Sequence, residues 1–204
     1  MRTHLSISTV LLLTLSAMMA CSSPPGQVDV AEPPASAEPP AEALERARAA
    51  ANALAGALLE HLGQAMEAGG PEQAIRVCSE TAQQISQQHS VDGLVVRRVS
   101  HKFRNPADRP DAFEESALLE LENAHGRGEL PEETFVVIED KEGRRLRYLR
   151  PIVVGEVCLN CHGGADSIDP AVASMLPELY PEDLATGYAE GDFRGAISVT
   201  VNLD

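Results

Sequence analysis

The 204-residue chain reads as an α+β protein with long N-terminal helices followed by a mostly antiparallel sheet. Three observations predict this. Residues 42–89 carry apolar side chains at three- and four-residue spacing, the period of one helix face. From Leu94 onward the strand-like runs include one hairpin spacing and a final segment that alternates every second residue, the period of a strand. Helices come first and strands after them, an order that suits α+β rather than a doubly wound sheet.

The chain opens with "MRTHLSISTVLLLTLSAMMAC". Arg2 forms a positive start, Leu5 to Leu15 an apolar run, and Ala17 to Ala20 a small-residue cleavage region, the build of an export signal over residues 1–20. The apolar run is shorter than the roughly 20 residues a spanning helix needs, so a transmembrane anchor is not expected. "MMAC" resembles a bacterial lipobox. The resemblance implies that Cys21 is the first mature residue and carries acyl chains, anchoring the protein to the periplasmic side of a bacterial membrane. Ser22 after it resembles outer-membrane-directed lipoproteins. Residues 21–40 are rich in Pro, Ser, Ala and Glu, cannot bury a core, and read as a tether spanning roughly 20 to 60 Å. Residues 41–204 remain for one domain.

Loss of Arg2 with the signal takes the formal charge from -15 to -16. Such an acidic chain disfavours nucleic acid, whose binding depends on neutralising phosphates, and is compatible with a basic redox partner protein. Aromatics are scarce, with no Trp, three Tyr and four Phe. Either small aliphatics fill the core or a buried cofactor does.

Glu42 to Ala68 reads as one amphipathic helix with Leu44, Ala47, Ala51, Leu54, Leu58, Leu62 and Ala65 inward. "GGP" at Gly69 to Pro71 ends it, and Pro71 suits the first turn of a second helix. That helix runs to about His89 with Ala74, Ile75, Cys78, Ala82 and Ile85 on its inner stripe. "LVVRRVS" reads as a strand, "HKFRNPADRPD" as an ordered loop and "AFEESALLELENAH" as a helix stopped by Gly126. "TFVVIED" and "RRLRYLRPIVV" around "KEG" read as a hairpin. In the last strand Ile197, Val199, Val201 and Leu203 point one way, and Ser198, Thr200 and Asn202 form a wet face.

Cys158-Leu-Asn-Cys161-His162 has the C-x-x-C-H spacing of covalent c-type haem attachment. Two thiols so spaced meet the two vinyl groups of one macrocycle, and the next residue brings an imidazole beneath the iron. A thioredoxin-like pair belongs in a strand-to-helix context that is absent after Val157, and a zinc site needs clustered ligands. One haem c, held by Cys158, Cys161 and His162, is therefore expected. Of four cysteines, Cys78 is left alone on an inner helix face. It is either a buried small hydrophobe or the second axial ligand. His61 and Met175 are rival ligands, an open position is a third alternative, and His89, His101 and His125 read as solvent-facing. Ten of the fifteen basic residues after Arg2 fall in Arg97 to Arg109 and Lys141 to Arg150. Within them Arg98 and Arg104 are candidates for pairing with haem propionates, against a solvated loop and hairpin face.

Four blocks in order, "AIRVCSETAQQIS", "VVRRVSHKFRNPADRPDAFE", "YLRPIVVGEVCLNCHG" and "YPEDLATGYAEGDFRGAISV", resemble a bacterial and cyanobacterial family of single-haem c-type domains with a PAS-like fold. The resemblance spans nearly the whole domain and departs at Asp108, where Asn is expected. It implies a PAS-like antiparallel sheet and axial ligation by His162 and Cys78. With both axial positions filled, low-potential one-electron transfer or redox sensing is expected rather than enzymatic catalysis. The alternative is a gas or small-ligand sensor in which Cys78 dissociates and a separate partner carries the signal. Tyr180, Asp183 and Gly187 read as a packed return loop.

Overall fold

The computed structural model describes residues 38–204 apart from Glu142. The export signal, Cys21 and most of the tether lie outside the described residues. Among these residues no helix is long and apolar enough to cross a membrane.

The chain runs through α1 (Ala41–Gln88), β1 (Leu94–Val99), α2 (Ala112–Gly126), β2 (Thr134–Asp140), β3 (Gly143–Val153), α3 (Leu159–His162), α4 (Pro170–Leu179) and β4 (Phe193–Asn202). The strands form one antiparallel sheet in the order β1-β4-β3-β2. This is the α+β class expected, with the last strand in sequence paired on both sides.

α1 is two helices in one. Gly69 (φ -168°, ψ 24°) and Gly70 (φ 67°, ψ -162°) leave helical geometry, and Pro71 starts the second half. In an unbroken helix Leu58 and Ala82 would lie about 36 Å apart at 1.5 Å per residue. Both line one cavity, so the break folds the second half back beside the first. Gly70 has the positive φ that a side chain disfavours.

The first half of α1 packs on one sheet face. Ala43, Ala47, Ala51 and Leu54 meet Leu146, Tyr148, Val199 and Val201 in the main core, which Ile85 of the second half joins. The other face is also covered. Ala117, Leu118 and Leu121 of α2 pack with Val99, Leu149 and Ala196. α2 is started by a capping box in which Asp111 and Glu114 bond each other's backbone N–H. The expected wet face of β4 is thus corrected: Ser198 is only 2% exposed, because a central strand between β1 and β3 has α2 over its second face. Thr200 is half-buried and Asn202 exposed, so the wet face survives only towards the strand's end.

At its other end β4 carries Gly195 at φ 142° beside a register shift at Ile152/Val153. A Cβ there would sit 2.3 Å from the Val99 carbonyl oxygen. Only glycine lets β1 and β4 come together at this point, which is where the strand ends open onto the site.

Candidate functional site

The C-x-x-C-H segment winds through a 3₁₀ turn at Glu156–Cys158 into the single turn of α3. Helical winding brings residues three and four apart to the same side, so Cys158, Cys161 and His162 all line one cavity of about 300 Å³. Gly163 closes the turn. A Cβ there would lie 2.7 Å from the Leu159 carbonyl oxygen, to which the Gly163 N–H donates at 3.0 Å. The return loop is stitched to this turn, with Gly187 N–H donating to Gly163 O (2.8 Å) and Tyr188 N–H to His162 O (3.0 Å).

His162 Nδ1 lies 2.7 Å from the carbonyl oxygen of Ala185. A carbonyl only accepts, so Nδ1 holds the proton and Nε2 keeps its lone pair. This is the tautomer of a metal-ligating histidine with an oriented ring. Burial, then the positive charges of Arg104 and Arg194, bring the imidazole pKa down to about 3. The ring is therefore neutral at neutral pH.

Cys78 reaches the same cavity from the second half of α1, 80 residues before Cys158. Its thiol is free, as are those of Cys158 and Cys161. Burial pushes the Cys78 thiol up, against the pull of Arg98 and Arg104. The thiol is therefore protonated at neutral pH. Among the described residues no three His, Cys, Asp or Glu side chains cluster tightly enough to cage a bare metal ion.

The rival ligands do not meet the site. His61 is exposed, with Nδ1 2.9 Å from the Ala57 carbonyl oxygen. Met175 packs against Ile75, Val172, Leu176 and Tyr180 and does not line the cavity. Met66 does line it, a residue the sequence reading missed although it follows Leu62 by one helical turn. Leu58, Leu62, Ile152 and Ile197 supply apolar wall.

Three guanidiniums stand in one corner: Arg98, Arg104 and Arg194 line the cavity. Arg98 pairs with Asp108 (3.2 Å), and Arg104 with Asp183 (3.1 Å). Asp108 also accepts from Gln83 Nε2 at 2.9 Å. Arg194 makes no ion pair among the described residues. The remaining basic residues of the strands separate by side-chain direction. Arg97 and Arg147 lie on the α2 face, where buried Glu114 meets Arg97 at 2.5 Å and Arg147 at 3.5 Å. The site so built suits a flat apolar group that carries a metal, two positions for thiol addition and acidic substituents.

A family model described as "Tll0287-like: Tll0287" matches residues 35–202. The chain belongs to the Tll0287-like family. Among solved structures, the crystal structure of the cyanobacterial heme-protein Tll0287 matches with a TM-score of 0.58 at 27% identity, covering 81% of this chain and 98% of that one. No curated protein matches.

In this Tll0287-like domain the return loop has the roles the sequence left unassigned. Tyr180 lines the cavity, and Asp183 holds Arg104 as well as accepting from Ala185 N–H at 2.8 Å. Arg194 was also missed. Its one signal was a charged residue opening an otherwise apolar strand, "FRGAISV".

Proposed function

We propose that this chain is an exported, lipid-anchored, single-haem c-type cytochrome that performs low-potential one-electron transfer or redox sensing and is not an enzyme. The observation that carries the reading is the meeting of Cys158, Cys161, His162 and Cys78 on one cavity, from segments 80 residues apart. Membership of a family with a solved heme protein supports it. A haem bound here would supply an iron centre that cycles between ferric and ferrous states.

Cys158 and Cys161 would hold the macrocycle by thioethers, and the Nε2 of His162 and the Sγ of Cys78 would hold its iron. The Ala185 carbonyl fixes the imidazole plane. As a thiolate, Cys78 would place negative charge beside that iron and so favour its ferric form. Because 59 mV corresponds to about 1.4 kcal/mol for one electron, a preference of a few kcal/mol lowers the potential by roughly a hundred millivolts or more. Apolar Leu58, Leu62 and Ile197 line the cavity and would keep water from a bound group. The acidic surface suits a basic redox partner, and Cys21 with its tether keeps the domain at the periplasmic face of a membrane, the outer one by the residue at position 22.

The test is electron paramagnetic resonance of the ferric protein, native and Cys78→Ser. A low-spin thiolate signal that vanishes in the variant is expected, and identical spectra overturn Cys78 as ligand. Attachment is tested by extracting denatured protein with acid acetone. Pigment that stays with the polypeptide, with a mass one haem above the processed chain, supports the thioethers, and a colourless polypeptide overturns them. Titration of the reduced protein with carbon monoxide or nitric oxide separates the carrier, with an unchanged spectrum, from a ligand sensor.

A further inference from the structure

We infer that Arg194 and the Nε of Arg98 together form a receptor for one propionate carboxylate of the haem, while Arg104 holds the histidine loop through its Nε and Nη2. This rests on the haem reading above.

Arg104 spends its Nε and Nη2 on the protein itself. It meets both oxygens of Asp183 (3.2 and 3.1 Å) and donates to the carbonyls of Cys161 (2.6 Å) and Ala185 (3.3 Å). Its side chain and that of Asp183 are both under 10% exposed. The two carbonyls belong to a motif cysteine and to the residue that accepts from His162. Arg104 is therefore a positioning residue for the attachment turn.

Arg98 and Arg194 are unfinished by contrast. Arg98 uses Nη2 on Asp108, while its Nε is buried with no partner. A buried donor left unmatched is costly, the more so on a charged group. Arg194 gives Nη1 to Ser100 Oγ (2.8 Å) and the Lys102 carbonyl (3.0 Å). It sits over the Tyr188 ring at 5.3 Å and has no carboxylate partner among the described residues. In the corner Arg98, Arg104 and Arg194 stand against Asp108 and Asp183, which leaves one positive charge uncompensated. Burial and the repulsion of the other two guanidiniums destabilise the Arg194 cation. Lys102, also over Tyr188, adds positive charge from outside, with its Nζ on the Thr186 carbonyl (2.6 Å). A planar carboxylate satisfies forked guanidinium donors, and one such anion balances the corner where two would overcharge it. The corner then holds no unmatched charge for the second propionate, which would titrate as an ordinary carboxylate.

Resonance Raman spectroscopy of the holoprotein reads the two propionate-bending bands directly. In native protein one band should stay fixed as pH falls through the ordinary carboxylate range, near pH 4.3, while the other shifts. In Arg194→Gln both should shift, Arg98→Gln should give an intermediate result, and Arg194→Lys should restore part of the native behaviour. Arg104→Gln should leave the fixed band in place. Two bands that titrate alike in native protein overturn the proposal, even if no variant folds, and so does an Arg194→Gln spectrum that matches native. Failure of the haem reading is a separate result, a native polypeptide that retains no pigment on extraction.

Discussion

At one end of the sheet Ala43, Ala47, Ala51 and Leu54 press on Leu146, Tyr148, Val199 and Val201, each of these eight at most 6% exposed. At the other end Leu58, Leu62 and Met66 of the same helix border a cavity whose sheet side is Arg98, Ile152, Arg194 and Ile197. The face is the same and the helix is the same. What differs is the chemistry opposite the helix. Alanines allow close approach to an aliphatic sheet, and such a pair seals itself. Guanidiniums cannot be covered by dry leucines without losing their hydrogen bonds, so that end stays open for a group that is apolar on its faces and acidic at its edge.

Removing the attachment chemistry should break the open end alone. Cys158→Ser with Cys161→Ser is expected to abolish covalent pigment completely while far-ultraviolet circular dichroism retains the helix and sheet of the sealed end. Loss of folded structure along with the pigment would show that the two ends are one cooperative unit.

The next largest effect belongs to the sealed end. Leu54→Ala should cost about 2–5 kcal/mol in denaturant unfolding and leave the haem absorption bands unmoved. A band shift would mean that packing strain crosses from one end to the other.

Acid should loosen the open end of the metal-free protein. His162 titrates near 3 in the fold and near 6.5 when unfolded, so the unfolded chain binds the extra proton as pH drops. Stability is fully present above about pH 6.5 and is lost towards pH 3, at up to roughly 1.4 kcal/mol per pH unit. Chemical denaturation between pH 7 and 4 should show this slope and a flatter one in His162→Gln. Equal slopes would show that the His162 imidazole does not carry the loss.

The smallest effect sharpens the contrast. Leu62→Ala should cost under about 1 kcal/mol in metal-free protein, where the side chain borders a cavity, and more once pigment is bound. The same cost in both forms would mean that Leu62 does not touch the bound group.

Much of this was legible before folding was considered. The helix stripe, the GGP break, the hairpin around KEG and the C-x-x-C-H turn are local patterns. Each depends on residues within a few positions, and the structure places each where its period requires. The wet face of β4 was misjudged because one strand's alternation says which side chains share a face, but not whether a second layer covers it. α4 left no clear trace, since it is only ten residues long and carries prolines at Pro170 and Pro177.

The arginines mark the boundary between the two kinds of information. Sequence alone determined that basic residues gather near the strands, that two thiols and an imidazole share one turn, and that Cys78 lies on an inward helix face. Tertiary structure alone decided that Arg97 and Arg98, adjacent in sequence, serve opposite faces of the sheet. It also decided that Arg104 is already paired with Asp183 while Arg194 meets no carboxylate among the described residues, and that Cys78 meets Cys158 on one cavity. Periodicity is set by the backbone geometry of neighbouring residues, whereas the partner of a charge is set by whatever distant segment the fold brings beside it.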